Sequence, residues 1–191
     1  MSTPVLHPPG MVLNAGWIEA TGGGFGFYAD GNTAAVTEVM EATDRERTAV
    51  ADGLGIPVAP LPELLHQLGF ASAGAPSART AIALSDLIHP IKAPDTLDHR
   101  YLHEDVGWGL VPWMELAAAV GCPTPTISAI THLAGVFNGI DYTRNGLTLD
   151  AMGLADMSAA QIRTLAVGTG VHVGRAARTG AADVLTRAAR P

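Results

Sequence analysis

Nowhere in this chain do apolar and polar residues alternate convincingly with period two. A half-buried strand needs that alternation, so the sequence is confined to helices and turns, and the fold class it predicts is all-α. The longest periodic segment runs from about Thr33 to Gly53, where Val36, Val39, Met40, Val50 and Leu54 form an apolar stripe. Asp30 or Asn32 is its candidate N-cap. Glu41 and Arg45, four apart, make a helix-supporting pair on the outer face, and Glu38, Asp44, Glu46 and Arg47 read as a wet face.

The remaining helices are shorter. His7-Pro8-Pro9-Gly10 opens the ordered part. Proline is tolerated only in the first turn of a helix, so a helix starts near Pro8 or Pro9 and runs to Glu19, with Leu13, Trp17 and Ile18 on one face. Leu61–Gly69 and Ser77–Leu87 read as two further helices, and the proline-rich 88–95 stretch as a loop. Leu110–Val120 is an apolar helix stopped by Gly121. Thr124 caps and Pro125 starts the next, which runs to Phe137 and stops at Asn138-Gly139. Ser158 with Gln161 forms a capping box for Ala159–Val167. We expect one helical domain over 1–169 and an Arg/Ala-rich tail or arm over 170–191, which holds four arginines against one aspartate.

Composition removes several classes of function. A net charge of -7 provides no general basic field for a phosphate backbone, so nucleic acid is a poor partner. No run of about 18 apolar residues suggests a membrane span, and Met1-Ser2-Thr3-Pro4 shows no basic region ahead of an apolar core. Cys122 is alone, which excludes an internal disulfide and fits a reducing compartment. The expected location is cytoplasmic.

Glycine-rich stretches do not indicate a nucleotide site. Gly22-Gly23-Gly24-Phe25-Gly26 and Gly168-Thr169-Gly170 both miss the GxGxxG spacing and follow no strand, so turns explain them. His99 and His103 have a spacing that can put two imidazoles on one helical face for a metal, but no third ligand is specified. His66, His89, His132 and His172 have no partner nearby in sequence and read as structural.

The densest chemistry lies in Arg100-Tyr101-Leu102-His103-Glu104-Asp105-Val106. Charged residues are only 15% of the chain, so an arginine, a tyrosine, a histidine and two acids within seven residues form either a solvated loop or a site. His7 has a claim of its own. Placed before a Pro-Pro turn its backbone is restricted, and an imidazole can give or take a proton at neutral pH. It would need an orienting carboxylate, for which Glu104 and Asp105 are the candidates.

Several of these blocks together resemble a known family. They are His7-Pro8-Pro9-Gly10 with Leu13-Asn14-Ala15-Gly16, Phe27-Tyr28, the Val36–Leu54 helix, the Arg100–Val106 block with Gly109-Leu110-Val111-Pro112, and Pro123-Thr124-Pro125-Thr126. From about His7 to Leu165 the chain resembles the C-terminal domain of octopine/nopaline-type opine dehydrogenases. The resemblance implies an all-α domain similar to the C-terminal domain of 6-phosphogluconate-type dehydrogenases. It implies chemistry in which an amino acid condenses with a 2-oxo acid and the imine is reduced by NAD(P)H.

By that likeness His7 matches the catalytic histidine, Asp105 the acid that orients it, and Arg100 the arginine that grips a substrate carboxylate. Tyr101 and Asn14 are implied pocket residues. Two positions depart from the family pattern: Gly107 stands where a proline is common, and Trp108 replaces a smaller aromatic. The chain opens almost at His7, ahead of which the family carries a Rossmann domain. We therefore expect no cofactor bound by this chain alone, with NAD(P)H supplied through a separate NAD(P)-binding partner, and a homodimer formed through the apolar face left uncovered. Two alternatives stand beside this: a stand-alone, cofactor-free enzyme using the His-Asp dyad as cyclase, isomerase or hydrolase, and a non-catalytic binding module.

Overall fold

The computed structural model describes residues 3–168. Ten α-helices and one π-helical turn account for its regular structure: α1 (Thr3–Leu13), α2 (Ala15–Thr21), α3 (Ala34–Gly53), α4 (Leu61–Gln67), α5 (Ala78–Ala83), α6 (Arg100–Asp105), the π turn (Val106–Leu110), α7 (Val111–Val120), α8 (Pro125–Asn138), α9 (Tyr142–Asn145) and α10 (Ala159–Ala166). There is no strand among the described residues, only an isolated antiparallel bridge between Gly26 and Lys92. The all-α expectation holds. The 170–191 tail lies outside the described residues.

Helix α1 is the axis of the domain. Every residue from Pro4 to Val12 is buried, and α3, α6, α8 and the π turn pack around it. The helix does not begin at Pro8 or Pro9, as the sequence suggested; both prolines sit inside it. Each removes a backbone donor, at a cost of about 3 kcal/mol in an isolated helix. Burial on all sides outweighs that local preference, since a fully enclosed apolar side chain contributes about 1.5–3 kcal/mol. The same correction applies to His7, which lies mid-helix and not ahead of a turn. Past Asn14 the chain re-forms as α2, and there Ile18 alone is buried; Leu13 and Trp17 face outward, with Trp17 stacked on Phe25 at 3.9 Å.

Helix α3 carries its predicted stripe: Val36, Met40, Val50 and Leu54 are buried, and Val39 packs against the core. Its cap is Thr33, whose side chain accepts from the Val36 amide, in place of Asp30 or Asn32. The expected wet face is largely an internal one. Asp44 and Arg47 form a buried ion pair at 2.7 Å. Asp44 also accepts from the Leu61 amide at 2.7 Å, and Arg47 donates to the Ala59 carbonyl. Glu46 accepts from the amides of Thr126 and Ile127 at the start of α8, and Glu41 accepts from Ala78 at the start of α5 instead of pairing with Arg45. Acids on α3 thus hold the first turns of three neighbouring helices, α4, α5 and α8, where free N–H groups and the helix dipole favour a negative charge.

The π turn lies close against α1. A Cβ on Gly109 would lie 2.7 Å from Pro4 Cβ, so only glycine lets this turn press against α1. The Gly107 carbonyl accepts from the Leu147 amide at 2.8 Å, which ties in the segment after α9. A second, smaller cluster of Val50, Leu54, Ala117 and Ile162 fixes α10 to the ends of α3 and α7. The capping box at Ser158 and Gln161 is present as expected.

Candidate active site

Two elements distant in sequence make the site. α1 contributes His7 from its buried middle, and α6 contributes Tyr101 and Asp105, which lie four apart and so share one helical face. Helix α6 is started by His99, whose Nδ1 accepts from the Tyr101 amide at 3.2 Å. It ends where Asp105 hands over to the π turn. A π turn inserts an extra residue into the helical ladder and is often found beside functional sites. Here it re-aims the chain after Asp105 so that Val106 and Leu110 enter the core while the Asp105 carboxylate faces α1.

His7 Nδ1 and Asp105 Oδ2 are 2.6 Å apart, across 98 residues of sequence. Both side chains are about nine-tenths buried. The Tyr101 ring stacks on the imidazole with a centroid distance of 3.6 Å and an interplanar angle of 13°. Phe27 and Tyr28, packed edge to face at 5.0 Å, complete the wall around the histidine. Gly10 makes room for this wall, because a Cβ there would meet Phe27 Cζ at 2.6 Å. Asp105 fixes Nδ1, and Nε2 has no hydrogen-bond partner among the described residues.

The phenols around the pair are kept neutral. Burial pushes the Tyr28 hydroxyl far above the ordinary phenolic range, with the nearby Tyr101 and Asp105 adding to it. Burial also raises Tyr101, against an opposing pull from Arg100. His99 is shifted the other way: burial, then Arg100 and His7, hold it below the usual imidazole value.

The structure does not bring every sequence candidate to His7. Glu104 is turned outward and ion-pairs with Arg100 at 3.1 Å, both side chains largely exposed, so of the two candidate acids Asp105 makes the contact. Arg100 keeps its guanidinium at the surface in that pair. Asn14 is buried and donates to the carbonyls of Gly10 and Gly31, joining the end of α1 to the segment ahead of α3. His99 and His103 have separate hydrogen-bond partners. His99 caps α6, while His103 places Nε2 on Asp98 at 2.7 Å and Nδ1 on the Tyr142 hydroxyl at 2.8 Å. No group of three or more His, Cys, Asp or Glu side chains is arranged to hold a metal ion among the described residues.

Sequence spacing gave no reason to connect Phe27 and Tyr28 to the site, because their neighbour Tyr101 lies more than seventy residues away. The role of His99 had a readable signal: a side-chain acceptor directly before the first helical residue is an N-cap position.

Comparison with known proteins bears on the family and the fold. The family described as "NAD/NADP octopine/nopaline dehydrogenase, alpha-helical domain" matches residues 1–138. An opine dehydrogenase of Arthrobacter sp. strain 1C is 35% identical over 84% of this chain and 44% of its own length. The protein ocs of Agrobacterium vitis is 29% identical over 83% of the chain and 44% of its own length. A vitopine synthase of Allorhizobium ampelinum is 28% identical over 80% of the chain and 42% of its own length. The chain thus spans less than half the length of these curated relatives. A solved structure, "A structural basis for substrate and stereo selectivity in octopine dehydrogenase (ODH-NADH-L-Arginine)", shares the fold with a TM-score of 0.58 at 20% identity, over 90% of this chain and 49% of that one.

Proposed function

Since the chain belongs to the octopine/nopaline dehydrogenase family, as its α-helical domain, we propose that it is the substrate-handling, acid–base half of an opine-forming enzyme. Its substrates would be an amino acid and a 2-oxo acid, joined as an imine. The observation that supports this most is the buried His7–Asp105 pair with Nε2 left open.

The chemistry follows from the geometry. Asp105 accepts the Nδ1 hydrogen, so the neutral ring carries its lone pair on Nε2 and the protonated ring carries its transferable proton there. Nε2 is then the atom that donates to the 2-oxo acid oxygen as the amine adds and water leaves, and that takes the proton back in the reverse direction. The carboxylate of Asp105 stabilises the imidazolium between those steps, and the flat face of Tyr101 sets the ring plane. Arg100 would exchange the Glu104 carboxylate for a substrate carboxylate, which its planar fork can hold with two parallel hydrogen bonds.

NAD(P)H would supply the hydride that reduces the imine. The described residues offer no strand–turn–helix unit of the kind that cradles a dinucleotide pyrophosphate. The nucleotide would therefore be held by a separate NAD(P)-binding unit, and this chain would present the imine to it. We also expect a dimer, which light scattering would reveal.

Calorimetric titration of the protein with an amino acid plus pyruvate, with and without NADH or NADPH, tests the reading. Heat from the two acids that disappears in both His7→Gln and Arg100→Ala is the expected result. Equal heats in wild type and both variants would refute the assignment. Turnover of the acids without NAD(P)H would replace it with a cofactor-free acid–base enzyme.

A further inference from the structure

As the cap of α6, His99 uses only half of its ring. Its backbone is fixed on both sides: its amide donates to the Leu97 carbonyl at 2.9 Å, and its carbonyl accepts from Leu102 and His103. Its Nδ1 is fixed as well, as the acceptor of the Tyr101 N–H at 3.2 Å. A neutral imidazole has one hydrogen, and an Nδ1 that accepts cannot carry it. The hydrogen must then be on Nε2, which has no hydrogen-bond partner among the described residues.

The ring also stands in the right company. It meets Tyr101 at right angles with centroids 4.6 Å apart, and the same Tyr101 ring covers His7 at 3.6 Å. Arg100 is its next neighbour in the chain. Asp95 and His103 are the other charged or titratable groups close enough to act on it. Burial, Arg100 and His7 disfavour its protonated form, so the ring offers a neutral N–H donor and not a second cation.

We propose that His99 is a substrate-binding residue, whose Nε2–H donates to the carboxylate that Arg100 holds while its Nδ1 caps the helix carrying Tyr101 and Asp105. This rests on the reading that a carboxylate-bearing substrate binds at His7 and Arg100. One imidazole would then connect substrate contact to helix geometry: the nitrogen facing the backbone sets the tautomer, and the tautomer makes the other nitrogen a donor.

The test uses His99→Asn. Asparagine is a good N-cap and can still accept from the second or third amide of the helix, but it has no group at the position of Nε2. We expect the thermal midpoint to stay near that of the wild type and the dissociation constant for pyruvate to weaken by about 10- to 100-fold, the range for losing a hydrogen bond to a charged group. Nitrogen-15 NMR of the wild type at neutral pH should show His99 neutral with its hydrogen on Nε2, and that resonance should move when pyruvate is added.

An unchanged dissociation constant in His99→Asn, an Nδ1–H or cationic ring, or an Nε2 resonance unmoved at high pyruvate would each overturn the proposal. The nitrogen-15 resonances of His7 in the same wild-type titration separate the two ideas. If pyruvate perturbs His7 but never His99, the proposed function stands and this inference falls. If pyruvate perturbs neither residue, both fall.

Discussion

The His7–Asp105 pair predicts a coupling energy that can be measured without any knowledge of the substrate. His7→Phe keeps an aromatic ring against Tyr101 and roughly the same volume, but removes the hydrogen on Nδ1. It leaves the Asp105 carboxylate about nine-tenths buried with its 2.6 Å partner gone, a change that typically costs about 3–5 kcal/mol. Asp105→Asn keeps the shape and removes the charge, turning a charge-assisted bond into a neutral one at a cost of about 1–2 kcal/mol. In the double variant no buried charge remains to be left alone. It should therefore be less destabilised than the two single changes added together, with a coupling of about 1.5–3 kcal/mol.

Urea unfolding of the four proteins at neutral pH, followed by far-UV circular dichroism, supplies the cycle. Its slopes should agree among variants, showing that the same surface is exposed each time. A coupling below about 0.5 kcal/mol, the ordinary scatter for independent sites, would mean that the two side chains do not form a charge-assisted pair in solution. The assignment of Nε2 as the reactive atom would then lose its support.

Three further outcomes follow from the packing. Asp44→Ala leaves Arg47 buried with its 2.7 Å carboxylate partner gone and removes the acceptor of the Leu61 amide, so a loss of about 3–5 kcal/mol is expected in denaturant unfolding; a loss under 1 kcal/mol would contradict the pairing. Gly109→Ala drives a methyl group into Pro4 and should cost about 1–3 kcal/mol, whereas an unchanged midpoint would show that α1 and the π turn do not press together. All three tyrosines of the chain, Tyr28, Tyr101 and Tyr142, are raised above the ordinary value of 10.0, Tyr142 to about 12, chiefly by burial. The unfolded chain then releases phenolic protons from about pH 10 while the folded one retains them, so this contribution to stability is whole below pH 10 and is lost as pH rises through the folded-state values. Absorbance at 295 nm should stay flat until the protein unfolds, and a graded rise near pH 10 with intact circular dichroism would count against it.

Much of the helical frame could be read from the chain because its signals are local. Helix stops at Gly121 and Gly139, the box at Ser158 and Gln161, and the α3 stripe each depend on residues within a turn or two of one another. The charges of α3 are not legible, for the opposite reason. A helical period registers only that Asp44, Glu46 and Glu41 are polar, whereas their partners, Leu61, Thr126 and Ala78, come from other helices. At His7 the local rule and the tertiary outcome conflict directly. Proline at the two following positions argues against helix, and the surrounding layer of α3, α6 and α8 overrides it. The candidate site was legible through resemblance, as residue types and as the pairing of His7 with Asp105; residue spacing alone left Glu104 open as well, and the folded chain turns that acid outward to Arg100.

Both acids could not have served, and the reason lies in helix geometry. Adjacent residues on an α-helix point about 100° apart, so once Tyr101 stacks on His7, the residue four positions on shares its face and the residue three on is displaced from it. Glu104 is then free to pair with Arg100, one turn back on the outer surface. The six-residue α6 thus sorts its charges into two layers: a buried one with a fixed proton acceptor for His7, and an exposed one in which Arg100 is held by a partner it can release. An exposed ion pair is worth about 0–1 kcal/mol, so a carboxylate ligand can displace Glu104 at little cost, whereas nothing small displaces Asp105. In Glu104→Gln this competitor is gone, so the protein should bind pyruvate at least as tightly as wild type, with a gain of no more than about fivefold. Weaker binding in that variant would mean that Glu104 contacts the substrate itself, and the division of labour along α6 would have to be redrawn.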